Sequence, residues 1–331
     1  MQITKPEYYD AFRCIAGRCP DSCCKEWDVQ VDDAAAAYYR SLPGELGDRL
    51  RQVLTDTEYG TVMTIEDGRC PMWRQDGLCR IQAQLGEGAL CQVCRDFPRL
   101  THDYGDFLEL GLELSCPEAA RLIFAHPNAS MVVLQQPGGE EPEYDRDAME
   151  VLKETRTHVL NLLEEASLTP AQRLALVLLY GYEAQAVLDG EEPVEFDPTA
   201  ALATGESFGS AGTMAEIVEF FSTLEILSDH WRELLTRAGI PQLTQQCIPL
   251  ARYLIGRYWL QAVSDYDLAC RVKFIVAFCL LVSSLPGDFV ENAQRCSKEV
   301  ENNVDNVEAL LDAAYSHRAF TDDKILGLLL K

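Results

Sequence analysis

Nine cysteines crowd the first 116 residues of this 331-residue chain, and only four of its 13 lie beyond them. Cys14, Cys19, Cys23 and Cys24 fall within eleven residues, with Gly17 and Pro20 between them to permit the tight turns that let thiols converge. Cys70, Cys79, Cys91, Cys94 and Cys116 follow, and Cys91-Gln92-Val93-Cys94 is a C-x2-C chelating pair. The adjacent Cys23 and Cys24 are poorly placed for a mutual disulfide, but they can serve two metals or two corners of a cluster. So dense a set argues against the ordinary role of cysteine as a small buried hydrophobe. That role suits Cys247, Cys270, Cys279 and Cys296, which stand isolated on predicted helices.

The compartment decides how the thiols are read. The N-terminus carries Lys5, Glu7, Asp10 and Arg13 with no apolar run, so it does not read as a secretory signal. The longest apolar run, Phe274 to Val282, falls below the ~20 residues of a membrane span. The expectation is a cytoplasmic protein without a membrane span, where clustered cysteines mean metal or redox chemistry rather than disulfides. Four thiolates suit zinc and iron-sulfur alike. The single clean knuckle, the irregular spacing and the excess of thiols favour an iron-sulfur cluster of the 4Fe-4S kind, with zinc as the alternative. Nine thiols exceed the four that one cluster takes, so the others are neighbours of the ligands, reactive groups, or ligands of a further metal.

Other chemistries find little support. The five histidines are scattered, with no zincin spacing, and His102 alone lies near enough to Cys94 to be kept as a possible extra ligand. There is no P-loop and no G-x-S-x-G, and Gly86-Glu87-Gly88 runs into the cysteine block instead of forming a dinucleotide fingerprint. Trp27 and Trp73 are close enough in sequence to wall a cluster from water, and Arg95 and Arg99 to donate to cluster sulfurs or a cofactor carboxylate.

The elements that must position these groups differ along the chain. Residues 1–134 mix Gly, Pro and Cys with short apolar stretches, predicting a cysteine-rich metal-binding domain with little regular structure. Helices are expected at Asp32 to Arg40 and Glu45 to Leu54, and strands at Thr61 to Ile65 and Phe107 to Leu114. Gln135 to Tyr144 (QQPGGEEPEY) is loop chemistry and the best boundary. Residues 145–331 show helical periodicity over 145–165, 170–188, 215–238, 246–263, 265–285 and 288–315, with a long loop expected at 189–212. The fold class is therefore mainly α, ending in a helical bundle. With 53 acidic against 28 basic residues, a net charge of −25 would repel nucleic acid and anionic lipid and attract a cationic partner.

At the cysteines the sequence resembles a family. The string C-x4-C-x3-C-C-x2-W at Cys14 to Trp27, G-L-C-R-I at Gly77 to Ile81, L-G-E-G-A-L-C-Q-V-C-R-D-F-P-R at Leu85 to Arg99, and L-S-C-P-E-A-A-R at Leu114 to Arg121 look like flagellin lysine-N-methylase. A shorter pattern at Cys19, Cys23, Cys24, Cys70, Cys79 and Cys94 is similar to the wider CxxxCC family of small zinc- or iron-chelating proteins. The resemblance covers roughly residues 8–122. It implies methyl transfer from S-adenosylmethionine to lysine ε-amines of flagellin, or of another lysine-bearing protein, with an iron-sulfur centre on these cysteines. The C-x3-C-x2-C spacing of radical enzymes is absent. The contrasting expectation is a non-enzymatic zinc, iron or redox module that docks a protein partner.

Overall fold

A computed structural model describes the whole chain, Met1 to Lys331. Strand β1 (Gln2–Pro6) opens it and leads into a long excursion. Within the excursion lie β2 (Val29–Val31), α1 (Asp33–Ser41), α2 (Gly44–Val53), β3 (Leu54–Thr57), β4 (Gly60–Met63), α3 (Arg80–Leu85) and α4 (Gln92–Asp96). The chain then returns through β5 (Arg99–Asp103), β6 (Phe107–Leu112), α5 (Pro117–Ala125) and β7 (Met131–Gln135).

The return completes a mixed sheet in the order β5-β6-β1-β7. Strand β1 runs parallel to β6, with Ile3 opposite Leu108, and antiparallel to β7, with Thr4 opposite Val133. The whole thiol-bearing lobe is thus a loop thrown out between β1 and β5 and anchored at both ends by one sheet. Inside the lobe, β2, β4 and β3 form a small antiparallel sheet. Val29, Val31, Tyr39, Leu50, Met63 and Ile81 supply its core, together with Cys70 and Cys91. Helix α1 begins where expected because Asp32 caps it, its carboxylate accepting from the Ala35 amide at 3.0 Å. The expected α2, β4 and β6 also form, to within a few residues at their ends.

Ten helices make up the remainder: α6 (Arg146–Glu164), α7 (Pro170–Leu188), α8 (Pro198–Phe208), α9 (Met214–Phe221), α10 (Asp229–Thr236), α11 (Cys247–Tyr258), α12 (Leu268–Ser284), α13 (Phe289–Val300), α14 (Val304–Ser316) and α15 (Asp322–Leu330). Helix α12 is buried on every side and forms the axis of the bundle. Helix α7 approaches it so closely that a Cβ at Gly181 would stand 2.6 Å from a Val272 methyl, which only glycine avoids. Cys247, Cys270, Cys279 and Cys296 are all buried here as packing residues. Phe107, Leu114, Ala120 and Ile123 join the same 57-residue core, so sheet and helices are packed as one body. No helix is long and apolar enough to cross a membrane.

Mainly α is the observed class, with fifteen α-helices against seven short strands. Several details correct the sequence reading. The expected loop at 189–212 contains α8, begun by Asp197 accepting from the Thr199 amide with Pro198 in the first turn. The single helix expected over 215–238 is broken into α9 and α10, with Ser228 capping the second. The helix expected over 288–315 breaks at Glu301 to Asn303, where Asn303 caps α14. Helix α11 stops at Tyr258 and continues only as a 3-10 turn. Strands β1, β2, β3, β5 and β7 and helices α3, α4, α5 and α15 lie outside the sequence reading; β1 illustrates why, since its partners β6 and β7 lie a hundred or more residues away and it carries little local signal.

Candidate metal centre

Four chain segments bring the nine cysteines to one cavity. Cys14 and Cys19 flank a 3-10 turn, Ala16–Arg18. A Cβ at Gly17 would meet the Asp76 carbonyl oxygen at 2.8 Å, and one at Gly77, where φ is +79°, would meet the Gly17 Cα at 3.1 Å. Two glycines therefore let the Cys14–Cys19 loop rest backbone to backbone on the loop that ends at Cys79. The Cys70 amide donates to the Cys24 carbonyl at 2.8 Å, and Trp73 forms an isolated bridge with Cys79. Cys79, Cys91 and Cys116 each immediately precede a helix, α3, α4 and α5 respectively, and Cys94 lies within α4. Asp32 fixes α4 relative to α1, its second carboxylate oxygen accepting from the Gln92 amide at 2.8 Å.

The resulting cavity has a volume of about 490 Å³, and every one of the nine predicted thiols lines it. None is in a disulfide. Cys14, Cys23 and Cys94 are exposed, whereas Cys70, Cys91 and Cys116 are buried in its wall. Trp27, Arg95 and Arg99 line it too, as anticipated, but Trp73 does not. Its indole is instead covered by the Arg69 guanidinium, 4.1 Å from the ring centroid. His102 is also absent from the wall, so the structure removes it as a possible extra ligand.

The thiols do not share one electrostatic character. The neighbouring Cys23 thiol draws Cys24 down to about 7, and Cys94 does the same for Cys91, also to about 7. Cys23 and Cys94 are driven well up in consequence. Burial raises Cys70 to about 12 and Cys116 to about 11, and it raises Cys19 and Cys79 as well. Cys24 and Cys91 are thus the thiols drawn toward ionisation, and those that burial raises lose their protons when a cation replaces them. No three His, Cys, Asp or Glu side chains are drawn together around one point as a bare ion demands. The sulfurs are spread around the cavity wall.

Lys298, on α13 of the bundle, reaches this wall and was missed in the sequence. Its ammonium is 2.9 Å from Asp21 Oδ1 and 2.8 Å from Glu26 Oε2, and 5.0 Å from the Trp27 ring centroid. The Glu26 oxygen has no aligned hydrogen bond, so its contact with Lys298 is a charge contact only. Glu26 takes a left-handed φ of +74°, uncommon for a non-glycine residue. One turn earlier, Gln294 Nε2 donates to the Ser115 carbonyl at 2.6 Å and to Asp21 at 3.1 Å. The available signal was a lysine on the inner face of an amphipathic helix, which burial tolerates only with partners.

A second cavity, of about 320 Å³, lies between the mixed sheet and helices α6 and α11. Arg99 lines the thiol cavity, while Leu100 and His102 line the second. Arg156 makes a bidentate pair with Glu109 at 2.6 and 2.8 Å. Arg257 meets the Tyr253 hydroxyl at 2.9 Å and Glu301 at 3.3 Å, and the Tyr258 hydroxyl donates to Glu301 at 2.9 Å. Burial lowers His102, with Arg257 adding to the effect, and raises Glu113.

Comparison with known proteins follows the motifs. No family profile and no solved structure matches the chain. It is 28% identical over 159 residues to the flagellar biosynthetic protein FliU of Salmonella muenchen, covering 45% of this chain and 89% of that one. It is 30% identical over 139 residues to the lysine-N-methylases of Salmonella typhimurium and Salmonella choleraesuis, covering 39% of this chain. The matched segment spans only 34% of the length of those two proteins. These matches bear out the resemblance to lysine-N-methylase: over the matched segment the chain is similar to these two proteins.

Proposed function

We propose that this chain is an S-adenosylmethionine-dependent protein lysine N-methyltransferase that acts on flagellin and carries an iron-sulfur cluster on its N-terminal cysteines. The observation that carries the reading is the convergence of nine cysteines from four segments on one cavity, in a chain related to lysine-N-methylases. The donor set fits the cluster. All nine candidate donors are sulfur and line one cavity, and thiolate sulfur is the donor that iron-sulfur clusters take.

When bound, such a cluster supplies a redox-active, Lewis-acidic anchor beside which a cofactor can be held. The chain's own groups then have defined tasks. Phe12, Trp27 and Phe97 line the cavity and exclude water from part of it. Arg95, Arg99 and Lys298 bring positive charge to a wall that otherwise gathers thiolates. The acidic surface draws in a lysine-rich partner, whose ε-ammonium must lose its proton before it can attack a methyl sulfonium.

The test is anaerobic purification with iron, zinc and sulfide analysis, then incubation with methyl-labelled S-adenosylmethionine and flagellin. Iron with equal sulfide, together with label on flagellin lysines, is the expected result. Absence of label transfer by cluster-replete protein overturns the enzyme reading. The small apolar core of the thiol lobe favours a second reading, a metal module that docks a protein partner. Stoichiometric zinc, with neither sulfide nor cofactor affinity, is its signature.

A further inference from the structure

We propose that the free edge of strand β7 is a docking site for an extended, lysine-bearing segment of another protein, which adds to the four-stranded mixed sheet as a further strand. Strand β7 ends the order β5-β6-β1-β7, and β1 is its only neighbour. The pairing fixes which of its backbone groups are free. The Glu7 amide donates to the Ser130 carbonyl at 3.0 Å, and the Gln136 amide donates to the Met1 carbonyl at 3.0 Å. Antiparallel ladders alternate, so Ser130, Val132, Leu134 and Gln136 turn their backbone groups toward β1. Pro6, which has no amide to donate, fits this register opposite Met131. The amides and carbonyls of Met131, Val133 and Gln135 therefore point away from the sheet, a short ladder without a partner.

The side chains leave that ladder open. Met131, Val132, Val133 and Leu134 are 53%, 36%, 55% and 39% exposed, so the strand is apolar and exposed on both faces. Sheet edges are ordinarily blunted by charge, proline or a bulge, because an open edge templates pairing with another chain. The opposite edge obeys that rule, since β5 presents Arg99 and Asp103 to solvent. Strand β7 has no charged residue and no proline, and its five residues pair with β1 in unbroken register. An apolar edge left bare in this way receives an extended peptide through main-chain hydrogen bonds, with side chains packing on either face.

Charge selects the occupant. The loop that leaves β7 carries Glu140, Glu141 and Glu143, all exposed, and of these Glu141 alone has a cation, Arg146. Glu7, at the other end of the strand, is exposed as well. A segment with apolar residues for the strand and lysines among and beside them meets these carboxylates. A second copy of the chain fits worse. Two chains of net charge −25 repel, and an antiparallel pair of β7 strands brings the glutamates of one copy toward Glu7 of the other. Two five-residue strands also offer too little edge for the ~1,200 Å² of a stable interface, whereas a transient partner needs less. In the proposed function the segment belongs to the methylated substrate, an assignment that rests on that reading; strand addition itself does not.

The experiment is fluorescence anisotropy of dye-labelled peptides titrated with the full chain, in the absence of any methyl donor. One peptide of about eight residues alternates valine with lysine, and a second of the same length alternates valine with glutamate. The lysine peptide should bind and the glutamate peptide should not. Val133→Pro removes an outward amide while leaving the bonds to β1 and the charge of the chain unchanged, and it should weaken the lysine peptide about tenfold. Val133→Lys sets a charge on the edge without removing the amide, should weaken binding too, and keeps the test decisive where proline disturbs the sheet. No binding of the lysine peptide, equal binding of the glutamate peptide, or full affinity in a folded variant overturns the site. A concentration-dependent dimer in sedimentation that Val133→Pro dissolves gives the edge to a second copy and overturns it likewise. Binding is read without methyl transfer, so failure of the docking site and failure of the enzyme reading are distinguishable.

Discussion

The thiol lobe and the helical bundle are stabilised by different means. The bundle buries a 57-residue apolar core around α12, enough to hold ten helices without other help. The lobe has an 11-residue core that already counts two of the candidate ligands, and its elements are short helices and strands joined by loops. A core of that size is marginal by itself, and small domains of this kind are commonly held by metal or covalent cross-links. The same chain therefore contains a part whose fold follows from hydrophobic burial and a part whose fold awaits its ligand.

Metal removal is the largest test of that difference. A strong chelator under reducing conditions should make residues 13–98 sensitive to proteolysis, while residues 146–330 stay protected and far-UV helicity persists. Protease mapping of the chelated chain reads this directly. Equal protection of both regions would show that the lobe folds on apolar contacts alone, and collapse of both would show that the bundle depends on the lobe.

A single change in the bundle should have the reverse character. Phe278 is fully buried on α12 and packs edge-on to Phe274 at 5.9 Å. Phe278→Ala should cost about 3–5 kcal/mol in chemical denaturation, by lost transfer energy and the cavity left behind. The cost should be the same for metal-free and metal-loaded protein. A metal-dependent cost would mean that the two regions unfold as one unit.

Lys298 sharpens the comparison because it belongs to one region and is paired in the other. Lys298→Ala leaves Asp21 and Glu26 facing each other without a cation. The cost should be about 2–3 kcal/mol, below that of a fully buried pair because Glu26 is a quarter exposed. It should appear as lower lobe stability and weaker metal retention. Adding Asp21→Asn and Glu26→Gln to Lys298→Ala should recover part of the loss, since repulsion between the two carboxylates is then gone. No recovery would assign the loss to packing of the lysine stem against Trp27.

What could be read in the sequence follows the same division. Periodicity placed most bundle helices, because each carries its apolar face within its own residues and caps such as Thr169 with Gln172 mark its start. The breaks at 222–228 and 301–303 were hidden, since neither contains a proline or glycine and Ser228 and Asn303 mark only the start of the following helix. In the lobe, residue type sufficed to name the nine thiols but not their arrangement, which depends on contacts such as Gly17 against Asp76 across about sixty residues. Lys298 lay beyond reach for the same reason. Its place on the inner face of an amphipathic helix was the one local signal, and its partners are more than 270 residues away.

The smallest expected effect concerns the start of the bundle. Asp145 caps α6, its carboxylate accepting from the Asp147 and Ala148 amides and from the Tyr266 hydroxyl. Its pKa lies below the ordinary carboxylate value, because these donors, the Ala148 amide foremost, favour the charged form. A group depressed in the folded state adds stability that is full above its unfolded pKa and is lost as pH falls through its folded pKa. Asp145→Asn keeps a competent cap but has no carboxyl to titrate. The variant should melt close to wild type at neutral pH and lose less stability than wild type on acidification below the usual carboxylate range. Melting temperatures of both proteins across that range test it, with the lobe metal-loaded throughout so that only the bundle end is compared. Parallel acid limbs would assign the acid sensitivity of this helix to other carboxylates and leave Asp145 as a cap whose charge is irrelevant.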